Sequence, residues 1–534
     1  MIEPRPLSKS FLVKAFIICT SFANGVFQSA WAGLLNRKFD FYRKYAVTWQ
    51  QFAAVTLDVL LLAVLLWIPV CLVAKSGNRT WIRILKWCVL AGLMVPLNIV
   101  RHSNEVAAIW ALPVLQAGAV RILLAVLGAA AGIVLLWKWE RLAIPLTSTI
   151  LMIFAPILPM VAASVAWDLY TGPPGGRFPD KPSLAALPQK ARAPHVLWLI
   201  FDEWDESITF RRRPANIELP ELDRFRGQSF HTDRAYPPSR ESIISIPSLL
   251  TGMTFVDKKT DGASELLLTY DRSQPPELLT RESTVFGEAR SIGFNSGIVG
   301  FYLPFCRMLD ATFCEWHCPV VFRPLEWEYP LSLGRFMVLA AKRQAPMVPY
   351  SRRLGVIHVD DPLVNPSLLP VTYRQIHEAA LHAIVDSRLN LVFIHWNIPH
   401  PPGMYDAAKD DFSKGPGTTY LDNLRLVDRT VRDIRLTLEK AGVWDGSTIL
   451  LTSDHPLRLN LWPASSMAPL SFGELTQTHE VPFLLKMAGQ KQGYAYNAAM
   501  QTVVTKDLLL AIMKGEITQP AQVAAWLDHN PPRR

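Results

Sequence analysis

Residues 52–74, FAAVTLDVLLLAVLLWIPVCLVA, hold one acid, Asp58, and no base. A helix of that length crosses a hydrocarbon core of roughly 30 Å, and no ordinary soluble fold leaves such a segment in water. The chain is therefore expected to be anchored in a bilayer. Apolar residues are 50% of the 534, charged ones only 19%, and the excess lies in the first third. Residues 84–100, 121–137 and 142–167 are further candidate spans, and residues 11–35 are another, interrupted by Lys14, Asn24 and Gln28. About five spans are expected, with Lys75, Arg79, Arg83, Lys86, Lys138 and Arg141 on the amino-terminal, cytoplasmic side. An odd number of spans puts everything after Trp167 outside the cytoplasm, and the first span reads as an uncleaved anchor. The expected place is thus the cell inner (cytoplasmic) membrane, multi-pass, with the remaining domain extracytoplasmic. The net charge of +9 suits a protein beside anionic lipid, and no nucleic-acid motif claims that charge.

The expected organisation is a transmembrane domain over 1–167, a linker over 168–194, and a globular domain over 195–534. TGPPGGRFPDKPSLAALPQKARAP, within the linker, is rich in Pro and Gly and has no apolar period. Residues 195–201, HVLWLIF, form a near-continuous apolar run, the pattern of a strand buried on both faces, and Asp202 and Glu203 emerge at its carboxyl end. TILLTSDH repeats the arrangement: residues 448–451 are apolar, and Asp454 and His455 follow. In open α/β sheets ligands bind at the carboxyl ends of strands. Carboxylates beside an imidazole on one rim suit a divalent cation. Alone, Asp454 could cap a helix and His455 lie on the surface; two such strands favour a shared ion.

Residues 219–225 read as a short helix that leads into a strand around 229–235. Ser239, Ser242, Ser245, Ser248 and Thr251 then crowd one segment, where a serine at a helix amino end would sit among free N–H groups. Simple capping is the competing reading. After a strand over 390–394, His395 and His400 fall in the Pro-rich segment HWNIPHPP, expected to be a loop. Residues 419–441 repeat apolar positions at helical spacing, residues 498–513 suggest a last helix, and His479 precedes the apolar run VPFLLK. Cys306, Cys314 and Cys318 cluster in the globular part; two of them pairing, or plain burial, is favoured over a zinc site that lacks a nearby fourth ligand.

In the order in which they occur, the strand ending in Asp202-Glu203, LDRF, SIISIPSLLTG, HWNIPHPP, TSDH and HEVPFLL resemble the alkaline phosphatase superfamily. The likeness is to its sulfatase-like branch, with membrane-anchored phosphoethanolamine and phosphoglycerol transferases as relatives. The implied fold is a helical membrane domain followed by an α/β domain, a mostly parallel central sheet flanked by helices. Counted back from Leu249-Leu250-Thr251-Gly252, the nucleophile position is Ser242. Pro238-Ser239-Arg240 imitates a sulfatase signature, but anchoring on it would put Tyr236 at the nucleophile. With Ser242 as nucleophile, Ile244 and Ile246 stand where that signature has Pro and Arg, so formylglycine formation is not supported. Phe301 and Tyr302 stand where sulfatases place Lys and His, which favours phosphoryl transfer over sulfate hydrolysis.

The resemblance thus implies a metal site of Asp202, Glu203, Ser242, Asp454 and His455, with Ser242 and His400 catalytic and His395, His400 and His479 toward substrate. Two carboxylates and an imidazole favour zinc or manganese; Glu203 as a further oxygen ligand would turn the choice toward calcium or magnesium. The expected partners are a membrane lipid as donor and an envelope glycan or lipid as acceptor. Hydrolysis of sulfuric or phosphoric esters outside the cytoplasm is the alternative.

Overall fold

The structure is a computed structural model that describes residues 7–35, 37–91, 140–153, 157–171, 177–190, 193–317, 332–344, 369–413, 418–462 and 479–530, with isolated positions between. Its chain divides into two compact units. One is made of Met1–Asn36, Tyr45–Arg177 and Pro324–Pro362, the other of Arg37–Lys44, Phe178–Arg323 and Leu363–Arg534.

In the first unit the apolar run becomes the helix Trp49–Ser76, ended by Gly77 in the left-handed conformation at φ 62°. Leu57, Leu61, Val64, Leu65, Ile68 and Leu72 stay exposed along it, an apolar band of the kind that marks a membrane or protein contact. Asp58, its one acid, is buried. The helix Lys9–Val26 packs on it, with Phe52, Val55, Val59 and Ala63 meeting Cys19 and Ala23 in one apolar cluster. Among the described residues these two helices are long and apolar enough to cross a membrane. The expected span 121–137 lies almost entirely outside the described residues, as does the second half of 84–100. Residues 142–167 fall on two helices, Glu140–Ile153 and Ile157–Thr171. Leu333–Gln344 belongs to this unit too, with Phe336 against Ala54, an exchange that the simple division by chain order did not foresee.

Among the described residues, the second unit is built on a nine-stranded sheet. Its principal strands in chain order are β1 (His195–Asp202), β2 (Phe230–Tyr236), β3 (Ser296–Phe301), β4 (Phe313–His317), β5 (Leu391–Pro399), β6 (Ser447–Ser453) and β7 (Val481–Lys486). Their spatial order is β2-β7-β6-β1-β5-β3-β4. The five strands from β6 to β4 are parallel, and β7 and β2 join antiparallel at one side. Alternation divides the residues of β1 between two cores. Val196, Trp198 and Ile200 face one with Leu450 and Phe393; Leu197, Leu199 and Phe201 face the other with Leu451 and Ile394. Covering both faces is why these strands read as unbroken apolar runs.

Several local expectations shift. Residues 178–190 form no helix or strand, as their composition dictates, but they are pinned to the sheet unit: Lys181 N donates to Cys306 O at 2.8 Å, Leu184 N to Ala311 O at 2.9 Å, and Leu187 N to Asn295 Oδ1 at 2.8 Å. The loop expected at His395 is strand, since β5 runs on to Pro399. The helix expected from residue 498 starts at Thr505, because Met500 and Gln501 pair with β2 beforehand. Cys306 and Cys314 form a disulfide, and Cys318 lies outside the described residues.

Candidate active site

Register alone brings the first two acids together. β1 and β6 pair in parallel with Phe201 opposite Ser453, so Asp202 and Asp454 are the next residues on adjoining strands, at the carboxyl rim. Both carboxylates are buried, as is His455. One ligand atom from each of Asp202, Asp454 and His455 lies within 4.8 Å of the others. His455 Nε2 is 3.3 Å from Asp202 Oδ1 and 3.5 Å from Asp454 Oδ2. Ser242 completes the group, its Oγ 3.2 Å from His455 Nε2.

Ser242 opens the helix Ser242–Thr251, whose ten residues are all buried. Ser245, on the same helix, donates its hydroxyl to the Asp454 carbonyl, which ties the nucleophile's helix to the acid's strand. Gly252 ends the helix in the left-handed region at φ 72°, where a side chain would be strained. Ser242 Oγ thereby sits in the first turn, where the helix dipole favours negative charge.

The histidines are oriented from behind. His455 Nδ1 is 3.0 Å from the Pro456 carbonyl, and His395 Nδ1 is 3.0 Å from the Phe301 carbonyl. A carbonyl only accepts, so each Nδ1 carries the proton and each Nε2 is left to face the acids; that arrangement is typical of metal-ligating imidazole. His395 Nε2 is 3.8 Å from Asp454 Oδ2. His395 Nε2, Asp202 Oδ1 and Asp454 Oδ2 are all buried and make no hydrogen bond. A buried carboxylate oxygen left without a hydrogen bond is costly, and a divalent cation held between two such oxygens removes that cost. The donor set therefore fits a metal ion.

The electrostatics agree in direction. Burial would raise the Asp202 pKa, but His400, His455 and His395 around it hold it below the usual carboxylate range. Burial would lower that of His455, yet the charges of Asp454 and Asp202 push it up to about 9.

The other expected residues fall in different places. Glu203 is fully buried at φ 66° and stands apart from the three-residue cluster: its carboxylate is paired with the Arg458 guanidinium, and Trp462 Nε1 donates to it at 3.4 Å. His400 lies just past β5, its Nδ1 2.6 Å from the Pro401 carbonyl, and its charge acts on Asp202. His479 is exposed, two residues before β7.

Three residues escaped the sequence reading. Arg458 neutralises Glu203 and also acts on Asp202 and Asp454; its only signal was a base three residues beyond the Asp-His pair. Asn397 is buried, with neither side-chain amide atom hydrogen-bonded. It lies two residues beyond His395 on β5, and an alternating polar pair inside an apolar strand was the cue. Tyr42, far away in the chain, packs its ring on Tyr302 with centroids 5.2 Å apart.

No family model matches the chain, and no curated protein matches it. Solved structures do. A protein in the alkaline phosphatase superfamily from Vibrio parahaemolyticus matches at 12% identity and a TM-score of 0.38, covering 61% of this chain and 68% of that one. The PsFucS1 sulfatase from Pseudoalteromonas sp. matches at 16% identity and a TM-score of 0.40, covering 64% and 74%. The phosphonate monoester hydrolase of Agrobacterium radiobacter matches at 12% identity and a TM-score of 0.36, covering 60% and 74%.

Proposed function

We propose that this chain is a membrane-anchored, metal-dependent transferase of the sulfatase-like kind. It moves a phosphoryl-linked head group, of phosphoethanolamine or phosphoglycerol type, from a membrane lipid to an envelope glycan or lipid through a Ser242 ester. The observation that carries this is the meeting of Ser242 Oγ with His455 Nε2, Asp202 and Asp454 in a buried cluster where one carboxylate oxygen of each acid makes no hydrogen bond.

Asp202, Asp454 and His455 would hold the cation, with Ser242 Oγ and His395 Nε2 beside it. Bound there, a divalent ion, zinc or manganese by donor type, lowers the pKa of a neighbouring hydroxyl and offsets charge on the phosphoryl oxygens. Ser242 is the attacking group. Its oxygen forms the bond to phosphorus while the bond to the donor alcohol breaks. His400 supplies the proton to that departing oxygen and takes one back from the acceptor hydroxyl, whose oxygen then forms the bond to phosphorus as the bond to Ser242 breaks. Arg458 keeps Glu203 from adding a further uncompensated charge.

The exposed apolar face of Trp49–Ser76 supports anchoring in a bilayer. A disulfide in the catalytic unit supports an oxidising compartment, hence a multi-pass inner-membrane protein with an extracytoplasmic active site. The test is metal analysis of the purified protein, together with product analysis on a phospholipid donor. A transferase leaves a lipid product and a modified acceptor; release of the free phosphoryl-linked head group with no modified acceptor would indicate a hydrolase instead.

A further inference from the structure

The segment Arg37–Lys44 stands in the chain between the helices Gln28–Leu35 and Trp49–Ser76, yet it belongs to the sheet unit. It is firmly held there. Phe41 is fully buried in the core that contains Trp198, Ile243 and Phe393. Arg307, itself buried, donates to the Phe41 carbonyl at 2.5 Å and to the Asp40 carbonyl at 3.3 Å. Phe178 N donates to the Lys44 carbonyl at 3.0 Å, and the Lys44 ammonium stands 5.5 Å from the Trp316 ring centre. So much anchoring for eight residues serves to fix what lies between the anchors, and that is Tyr42.

Tyr42 and Tyr302 are both half-buried, with rings tilted at 45°. Tyr302 follows Phe301, whose carbonyl holds His395, and it interacts electrostatically with Asp202. Both tyrosines interact with Glu241, the residue immediately before Ser242. The backbone of Tyr302 is at φ 74°, in the left-handed region that a bulky residue seldom adopts. Backbone strain of this kind collects where a side chain must be aimed. Gly300 allows the turn to pack: a Cβ there would lie 2.0 Å from the Phe305 ring.

We propose that Tyr42 and Tyr302 form the wall that receives the second organic group of a phosphodiester at Ser242, so that Tyr42 is a specificity-determining residue for diesters over monoesters. This rests on the phosphoryl-transfer reading above. A monoester brings close to two negative charges and one organic group, whereas a diester brings one charge and two organic groups. A wall of two aromatic faces and neutral phenol donors serves the second organic group and offers no countercharge for a second anionic oxygen.

The experiment uses the full-length protein in detergent, with bis(p-nitrophenyl) phosphate as diester and p-nitrophenyl phosphate as monoester. The expected result is that Tyr42→Ala lowers the diester-to-monoester ratio of kcat/KM about tenfold or more, chiefly through the diester KM, while Tyr42→Phe, which keeps the ring, loses much less. A thermal melt accompanies each variant, and Tyr302→Ala supplies the same ratio if Tyr42→Ala does not fold. An unchanged ratio, or an equal fall on both esters, overturns the proposal while wild-type turnover that Ser242→Ala abolishes leaves the serine reading standing. A wild type that turns over neither ester overturns both.

Discussion

Ser242, Asp202, Asp454 and His455 come from three distant parts of the chain, and each has a separate reason to be where it is: a helix start, two paired strand ends, and an imidazole held through Nδ1. Replacing Ser242 by Ala removes the attacking oxygen and is expected to lower kcat about a thousandfold or more with metal content unchanged. Asp454→Asn should instead reduce bound metal and activity together, read by elemental analysis beside the assay. Asn397 separates stability from function in another way. Its two amide atoms are buried without hydrogen bonds, a destabilisation of about 1–3 kcal/mol that a well-packed core would not retain without use. Asn397→Leu is therefore expected to raise the melting temperature by a few degrees and to lower kcat/KM. A variant that is more stable and equally active would show that the amide has no part in the reaction. Of these residues Asp202, Asp454 and His455 stood out because apolar strands ending in acids have a plain pattern, whereas Ser242 was singled out only by the resemblance. Arg458 and Tyr42 were not, since nothing local marks a charge partner or an aromatic brought in from another part of the chain.

Among the elements, the helices Pro220–Arg226 and Tyr420–Lys440 are joined by Asp428, whose Oδ1 accepts from Leu222 N at 2.8 Å. Burial outweighs that bond and raises the Asp428 pKa to about 6. A carboxyl whose folded pKa lies above its unfolded value favours the folded state most when protonated. Its contribution is full below about pH 3.9 and is lost as pH rises through about 6. Stability, and with it the melting temperature, should accordingly fall between about pH 4 and pH 6, by on the order of 3 kcal/mol, and Asp428→Asn should flatten that part of the profile. An identical slope in the variant would show that other groups carry it. At this scale the sequence was readable wherever one period dominates: β1, β6 and the helix from Tyr420, capped by Thr419 with Asp422, lie within a residue or two of expectation. It misled where a polar residue sits inside a strand. His395 looked like loop because prolines follow it, but the pairing of Ile200 with His395 extends the ladder past that point.

In the whole molecule, the apolar amino-terminal third and the carboxyl-terminal sheet were evident from composition and order of motifs. The exchange of short segments between the two units was not. Eight residues between apolar helices enter the sheet unit, and Leu333–Gln344 returns to the helical one, through contacts too remote in sequence for any local pattern to disclose. The disulfide offers a test of which side of the membrane the sheet unit occupies. Non-reducing peptide mapping from native membranes should find Cys306 joined to Cys314. Free, alkylatable thiols at both positions would place the unit in a reducing compartment. Closing so short a loop stabilises by about 2.5 kcal/mol on chain-entropy grounds, so Cys306→Ala with Cys314→Ala should lower the melting temperature by a few degrees without abolishing activity.

All of this depends on distant segments meeting at one ion and making Ser242 reactive. The most direct measurement is mass spectrometry of the Ser242 peptide from protein quenched during turnover of a phospholipid donor, with metal content determined on the same preparation. The expected result is a phosphoryl-linked mass on Ser242 and about one divalent ion per chain, both lost in Asp454→Asn. An unmodified Ser242 in metal-free protein that still consumes the donor would contradict the account.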